Sequence, residues 1–372
     1  MRAVSRAARS TLAEFLGDAV VYRSLDPLDR RLPRYVDVAR RVGLMPDAVP
    51  RKSDPVYARI VVEIVRAAAR LAGGGAVERL LFVGDTPGND ATAFRRICVT
   101  GGWPGIGFIG SDDPAVLAKW DSARDGDRTL LFATRWRLLD DLDRLCEQEQ
   151  FAIDGRTAVL VDIDKTAIGA RGRNDGAIDR ARLDAVLRTI EGMSDAAPDA
   201  NDVRRVYERI NRPSFHRLTG DSQDIVALLT VAVIVGTIPE GILAEDDAAP
   251  KLPDLLALAV DRATVGPPEV CDLLRRFAEA AAAGTTPEFE TFRRNEYLAT
   301  VERMVPGSDP MQMPEEITIT AEVRAAALRW RDRGALVLGL SDKPDAASRP
   351  TDALAALGYL PLHRTEARVV GG

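Results

Sequence analysis

The sequence has few of the residues that build disulfide-stapled or zinc-centred proteins. Three cysteines, Cys98, Cys146 and Cys271, are odd in number and widely separated, with no CxxC pair, and the only histidines are His216 and His363. This set argues against a structural zinc site and for reduced thiols in a cytosolic protein. Long hydrophobic runs are also missing. The most apolar stretch covers only 225–238, short of the ~20 residues a bilayer helix needs, and reads as a buried helix. The opening MRAVSRAARSTLAEFLGDAV brings in acids before any sustained apolar segment and does not read as a signal peptide. A surplus of positive charge is absent too. The formal net charge of −6 leaves no basic footprint for nucleic acid. No fixed-period repeat and no low-complexity tract stands out. The expectation is a cytoplasmic globular protein with neither membrane nor nucleic-acid partners.

What is present is an ordinary globular composition, 46% hydrophobic and 28% charged over 372 residues, enough for two domains. Residues 1–50 read as mostly helical with polar turns. Asp54 can cap a helix whose first position suits Pro55, and Gly73 to Gly75 end it. A strand at Leu80–Val83 runs into GDTPGND. A helix around Ala91–Arg96, a strand at Ile106–Ile109, a helix near Ala115–Trp120, a strand at Thr129–Ala133 and a helix at Leu138–Gln148 follow. Then comes TAVLVDIDKT, where an unbroken apolar run ends in Asp162 and Asp164. Such a run reads as a strand buried on both faces, and its carboxyl end is where open α/β sheets place ligands.

This alternation predicts an α/β fold with a doubly wound parallel sheet. From 181 to 325 the pattern turns helical, over 202–211, 222–236, 252–262, 268–283 and 287–304. Clusters such as EDDAAPKLP and VPGSDPMQMP separate these helices. Strand character returns at Ala335–Leu340, before a helix near Asp352–Leu357 and a strand at Tyr359–His363. The helical block, 181–325, is therefore an insertion in an α/β core made of 1–180 and 326–372.

Four pieces at strand ends or helix starts carry the chemistry. They are VDIDKT (Asp162, Asp164, Thr166), GLSDKP (Ser341), RKSDP (Lys52) and FVGDTPGND (Asp85, Asp90). Two acids at i and i+2 near a strand end point the same way and can share a cation. Singly, each piece has a plainer explanation, since GDTPGND is common loop composition and Lys52 could be a solvated lysine before a helix cap. Together they resemble the haloacid dehalogenase superfamily, with its DxDxT loop, Ser/Thr, Lys and GDxxxxD motifs. In that family the motifs run DxD, Ser/Thr, Lys, acidic motif. Here Lys52 and Asp85/Asp90 come first, so the resemblance implies a circular permutation, which surface termini lying close together make physically reasonable.

The resemblance implies Asp162 as the nucleophile that forms an aspartyl-phosphate and Asp164 as proton donor and later base for water. It implies Ser341 as a hydrogen-bond donor to a phosphate oxygen and Lys52 as the charge that offsets nucleophile and phosphate. Mg²⁺ would be held by Asp162, the main-chain carbonyl of Asp164 and Asp85, with Asp90 nearby. Asp164 favours phosphate chemistry, because a halide leaving group needs no proton. The substrate class is then a small phosphorylated metabolite, and the helical insertion is a cap that covers the site and selects substrate. A non-catalytic binding or assembly protein and a phosphoryl or acyl transferase remain open on the same core. Lys343 rivals Lys52 for the phosphate.

Within the cap, SFHRLTGDSQD offers His216 and Arg217 as substrate contacts, against a structural role for the histidine. FRRNEY reads as a solvated helix face. Lys165 departs from the glycine that many of the phosphatases carry. Gly105, Gly107 and Gly110 fit the GxGxxG dinucleotide fingerprint. They fall inside a strand, however, and not in a turn opening a helix.

Overall fold

A computed structural model of the chain describes residues 8–44, 49–52, 54–194, 197–243, 250–262, 267–307 and 314–372. Parts of EDDAAPKLP and VPGSDPMQMP, Ser53 of RKSDP and the first residues of the amino-terminal stretch lie outside them. The chain divides into two compact units, one of Met1–Ile178 with Val301–Gly372 and one of Asp179–Thr300. The second unit thus ends well before 325. The stretch after Val301 is tied into the first unit, where Glu316 pairs with Arg368 and Thr320 N donates to Ala167 O.

The strands of the first unit are β1 (Arg9–Ser10), β2 (Val20–Val21), β3 (Arg79–Gly84), β4 (Gly105–Gly110), β5 (Trp120–Asp125), β6 (Arg128–Ala133), β7 (Thr157–Asp162), β8 (Ile319–Thr320), β9 (Leu336–Leu340) and β10 (Ala367–Val370). Seven of them form one sheet in the order β2-β9-β7-β3-β4-β6-β5. All neighbours are parallel except β5 with β6. Helices Tyr35–Arg41, Pro55–Leu71 and Asn89–Gly101 form one layer, packed on Leu80, Phe82, Ala158, Leu160 and Leu338. Helices Leu12–Leu16 and Ala321–Asp332 and the turn Trp136–Asp141 form another. Burial on two faces is why β7 is apolar without a break from Ala158 to Val161, up to Asp162. A smaller sheet joins β1, β10 and β8, with β1 antiparallel to β10.

Several expectations hold at the level of local chemistry. Asp54 accepts from Val56 N at 2.8 Å and Pro55 occupies the first helical position. The GxGxxG glycines lie in β4, and their role is contact. A Cβ on Gly105 would sit 2.5 Å from Cys98 Sγ, and one on Gly107 2.7 Å from a Leu130 methyl and 3.2 Å from Phe94. Phe94 and Cys98 belong to the helix Asn89–Gly101, so these glycines let that helix lie directly on the sheet.

Three expectations are corrected. No helix forms at Ala115–Trp120. Trp120 opens β5, from which the chain returns as β6 through a tight turn where Gly126 takes φ +61°. The described residues of 1–50 are not mostly helical: helix covers only Leu12–Leu16 and Tyr35–Arg41, and β-branched Val20 and Val21 extend the sheet beside Gly339 and Leu340. The closing strand is β10 and not Tyr359–His363, where Pro361 leads into a single 3₁₀ turn.

The second unit is built from helices Gly176–Met193 (in its larger part), Ala200–Ile210, Gln223–Ile234, Leu252–Arg262, Pro268–Ala282 and Glu290–Met304 (also in its larger part). Gln223–Ile234 lies at its centre and is buried nearly throughout its length. A buried ion network crosses this core. Arg293 grips Asp224 with two nitrogens, each at 2.8 Å, and donates to Glu296 at 2.6 Å, while Arg182 reaches the other Glu296 oxygen at 3.2 Å. Arg293 and Glu296 are therefore not part of a solvated face. Among the described residues no helix is long and apolar enough to cross a membrane.

Candidate functional site

The carboxyl ends of the central strands bring four distant stretches together. Asp162 is the last residue of β7 and lies opposite Leu340 of β9, so Ser341 follows immediately beside it. Asp85 is the first residue beyond β3, the other neighbour of β7. Asp90 stands in the first turn of the helix Asn89–Gly101 and reaches back to the same strand end. Its Oδ2 accepts from Asp85 N, Thr86 N and the Thr86 hydroxyl at 3.1, 3.0 and 2.8 Å. Gly84 makes room for this, since a Cβ there would sit 2.7 Å from that of Asp90. Lys52 enters from the loop before Pro55–Leu71. Its Nζ donates to Asp90 Oδ1 at 2.9 Å and to Asp162 Oδ1.

Lys52, Asp85, Asp90 and Asp162 are all buried. Ligand oxygens of the three aspartates lie within 4.8 Å of one another. Their proton affinities follow from crowding. Burial raises the Asp162 carboxyl well above the usual range despite Lys52, with Asp90 and Asp85 adding to the effect. Asp85 is pushed up to about 7 by burial and then by Asp90. Burial is the largest single effect on Asp90 and opposes its ionisation as well, but Lys52 and the hydrogen bonds from Asp85 together outweigh it and hold that carboxyl at about 2. Burial alone would lower the Lys52 ammonium, yet Asp162 and Asp90 keep it well above its ordinary value.

Lys52 and Arg171, which pairs with Asp85, supply two positive charges against three buried carboxylates, and an all-oxygen donor set suits a hard divalent cation. The residues therefore fit a hard divalent cation, of which Mg²⁺ is one. Asp85 and Asp162 are the natural holders, because both oxygens of Asp90 are engaged in hydrogen bonds. The Asp164 carboxylate is not in the cluster. It pairs with Lys343 Nζ at 3.3 Å. The two lysines thus divide the acids, Lys52 taking Asp162 and Asp90, and Lys343 taking Asp164. Ser341 is buried, and its Oγ accepts from Lys343 N at 3.1 Å. Thr166 is wholly buried. Its carbonyl accepts from the Thr320 hydroxyl, and its own hydroxyl has no partner among the described residues. Lys165 takes φ +61°, the left-handed region that favours glycine.

Two residues have no counterpart in the sequence expectations. Thr86 locks Asp90, and Arg171 donates through Nε to Asp85 Oδ2. No spacing rule points to Arg171, which lies beyond the DxD loop in GARGRND. His216 and Arg217 belong to the helical unit. There His216 Nε2 lies 3.5 Å from Asp221, and Arg217 lines a pocket of about 450 Å³ with Thr219 and Lys251. In the first unit a groove of about 620 Å³, lined by Arg66, Gly74, Gly101 and Trp103, lies at the amino ends of β3 and β4, away from the acids. No family model, no curated protein and no solved structure matches the chain.

Proposed function

We propose that the chain is a Mg²⁺-dependent phosphomonoester hydrolase of the haloacid dehalogenase type, circularly permuted, acting on a small phosphorylated metabolite. The observation that carries this is the convergence of Lys52, Asp85, Asp90 and Asp162 at adjacent strand ends, although they come from three separate stretches of chain. The permutation is supported by the pairing of β1 with β10, where Val369 N donates to Ala8 O at 2.8 Å. The helical unit follows the DxD loop in the chain, where the family carries its caps, and in this reading it selects the substrate.

The chemistry follows from the residues. An Asp162 oxygen attacks phosphorus in line, the bond to the leaving oxygen breaks, and Asp164 gives that oxygen a proton. Asp164 then takes a proton from water as the water attacks phosphorus. The bond to Asp162 breaks and inorganic phosphate leaves. Lys52 orients Asp162 and opposes the burial that holds its proton affinity well above the usual carboxylate range; a bound cation would favour the ionised form further. Lys343 lies against Asp164, where it is placed to steady the carboxylate between its acid and base roles. Ser341 offers a hydroxyl to a phosphoryl oxygen. When bound, Mg²⁺ supplies charge neutralisation for the non-bridging oxygens.

The test is phosphate release from an aryl phosphate and from a panel of natural phosphoesters, with and without Mg²⁺, on wild type and Asp162→Asn. Metal-dependent release that vanishes in the variant supports the proposal. Full activity in Asp162→Asn, or silence across the whole panel, rejects it.

A further inference from the structure

Arg171 is held as a residue with a task at this site. Its backbone is clamped at three points. Arg171 N donates to Lys165 O at 2.8 Å, and its carbonyl accepts from Asp112 N at 2.9 Å and from the Trp136 indole at 3.1 Å. The next residue must be glycine, since Gly172 has φ +75° and a Cβ there would lie 2.0 Å from the Asp112 carbonyl oxygen. The neighbouring arginine, Arg173, is consumed by Asp112 and Glu322. Arg171 differs from it. Its Nε is spent on buried Asp85, while among the described residues its two terminal nitrogens make no hydrogen bond, and 36% of its side chain is exposed. A guanidinium anchored at one edge and open at the other presents a preorganised fork to an oxyanion.

We propose that Arg171 binds an oxygen of the phosphoryl group through its terminal nitrogens while Nε stays on Asp85. This rests on the phosphatase reading of the same site and adds a residue to it. Lys52 and Arg171 then stand on different members of the acid cluster, Lys52 on Asp162 and Asp90, and Arg171 on Asp85. The two functions of the arginine have opposite signs. Its charge opposes a cation at Asp85 and attracts the anion that follows, so it favours the cation and phosphate arriving together over the cation alone.

The experiment measures binding and not turnover. Mg²⁺ alone, and inorganic phosphate at saturating Mg²⁺, are titrated calorimetrically into wild type, Arg171→Gln and Arg171→Lys. Arg171→Gln is expected to bind phosphate about 10-fold or more weakly, as loss of a charge-assisted bond requires. The same variant should bind Mg²⁺ alone about threefold or more tightly, because a repelling charge is gone. Arg171→Lys keeps the charge without the fork, so its Mg²⁺ affinity should match wild type while phosphate binding stays weak. Unchanged phosphate affinity in Arg171→Gln overturns the proposal, as does weaker Mg²⁺ binding, which would mean that the arginine merely holds Asp85 in place. If wild type binds neither ion, the phosphatase reading falls and the proposal with it.

Discussion

Lys52 shares its ammonium between Asp90 and Asp162, at 2.9 Å from the first, and so joins the helix that starts after β3 to the end of β7. No other cation contacts either carboxylate among the described residues, and the arrangement puts both stability and chemistry on one side chain. Replacing it with methionine keeps the length and removes the charge. Lys52→Met is expected to lower stability by about 3–5 kcal/mol in chelator, the cost of uncompensated buried charge. Mg²⁺ should restore part of that loss. Turnover should fall by roughly 100-fold or more, because the nucleophile loses its counter-charge. Thermal unfolding with EDTA or Mg²⁺ and phosphate release check the two halves. A variant as stable as wild type in EDTA would contradict the assignment.

The pH dependence of metal-free stability follows from the same cluster. Asp85 is raised from 3.8 to about 7, and Asp162 moves the same way. Groups with raised folded values contribute stability that is fully present below the unfolded value and lost as pH rises through the folded one. Asp90, lowered to about 2, contributes in the opposite sense, its stability being lost as pH falls below 4. In EDTA the melting temperature should therefore be higher near pH 5 than near pH 8, and Mg²⁺ should recover the difference at pH 8. Asp85→Asn should flatten the slope. A melting temperature that climbs from pH 5 to 8 in EDTA would refute this origin.

Lys165 holds φ +61° inside the DxD loop. A side chain in that region costs roughly 1 kcal/mol relative to glycine. Lys165→Gly is expected to raise stability by at most about 0.5 kcal/mol, because the greater freedom of glycine in the unfolded chain takes back much of that gain. The ion pair with Asp175, at 3.9 Å, is among the contacts the variant gives up. Chemical denaturation measures the change, and a loss of stability would show that Lys165 makes a contact worth more than the strain.

In the helical unit, Arg293 is the hinge of a buried network. Arg293→Met leaves Asp224 and Glu296 buried without their main partner, which should cost about 3–5 kcal/mol. The triple variant Asp224→Leu, Arg293→Met, Glu296→Leu should be less damaging than the single one. The comparison is made by urea unfolding, and equal losses would mean that packing, not charge, sets the cost.

What the sequence reveals depends on how each feature is written. The central strands are legible because burial on both faces leaves contiguous apolar runs, and β7 shows this up to Asp162. The hairpin of β5 and β6 is harder to see, since β5 is an exposed edge strand with the polar sequence WDSARD. Asp162, Asp85, Asp90 and Lys52 could be collected because each sits at a strand end or helix start. Arg171 could not, because its partner Asp85 lies 86 positions away and nothing local marks the pair. The Arg293 network was hidden for a similar reason. Charges on a helix look solvated until the opposing helix is known, and here that helix supplies Asp224.

The bare face of β4 gives the site a mechanical dependence as well as an electrostatic one. Gly105 and Gly107 let Phe94 and Cys98 rest on the strand, and the helix carrying them begins at Asn89, one residue before Asp90. The height of that helix is set by two missing methyl groups. Restoring either would act as a shim under a lever, lifting the helix and drawing Asp90 off Lys52 without touching a single charge. The spacing of the acid cluster is thus calibrated from beneath, by neutral atoms that touch none of its charges.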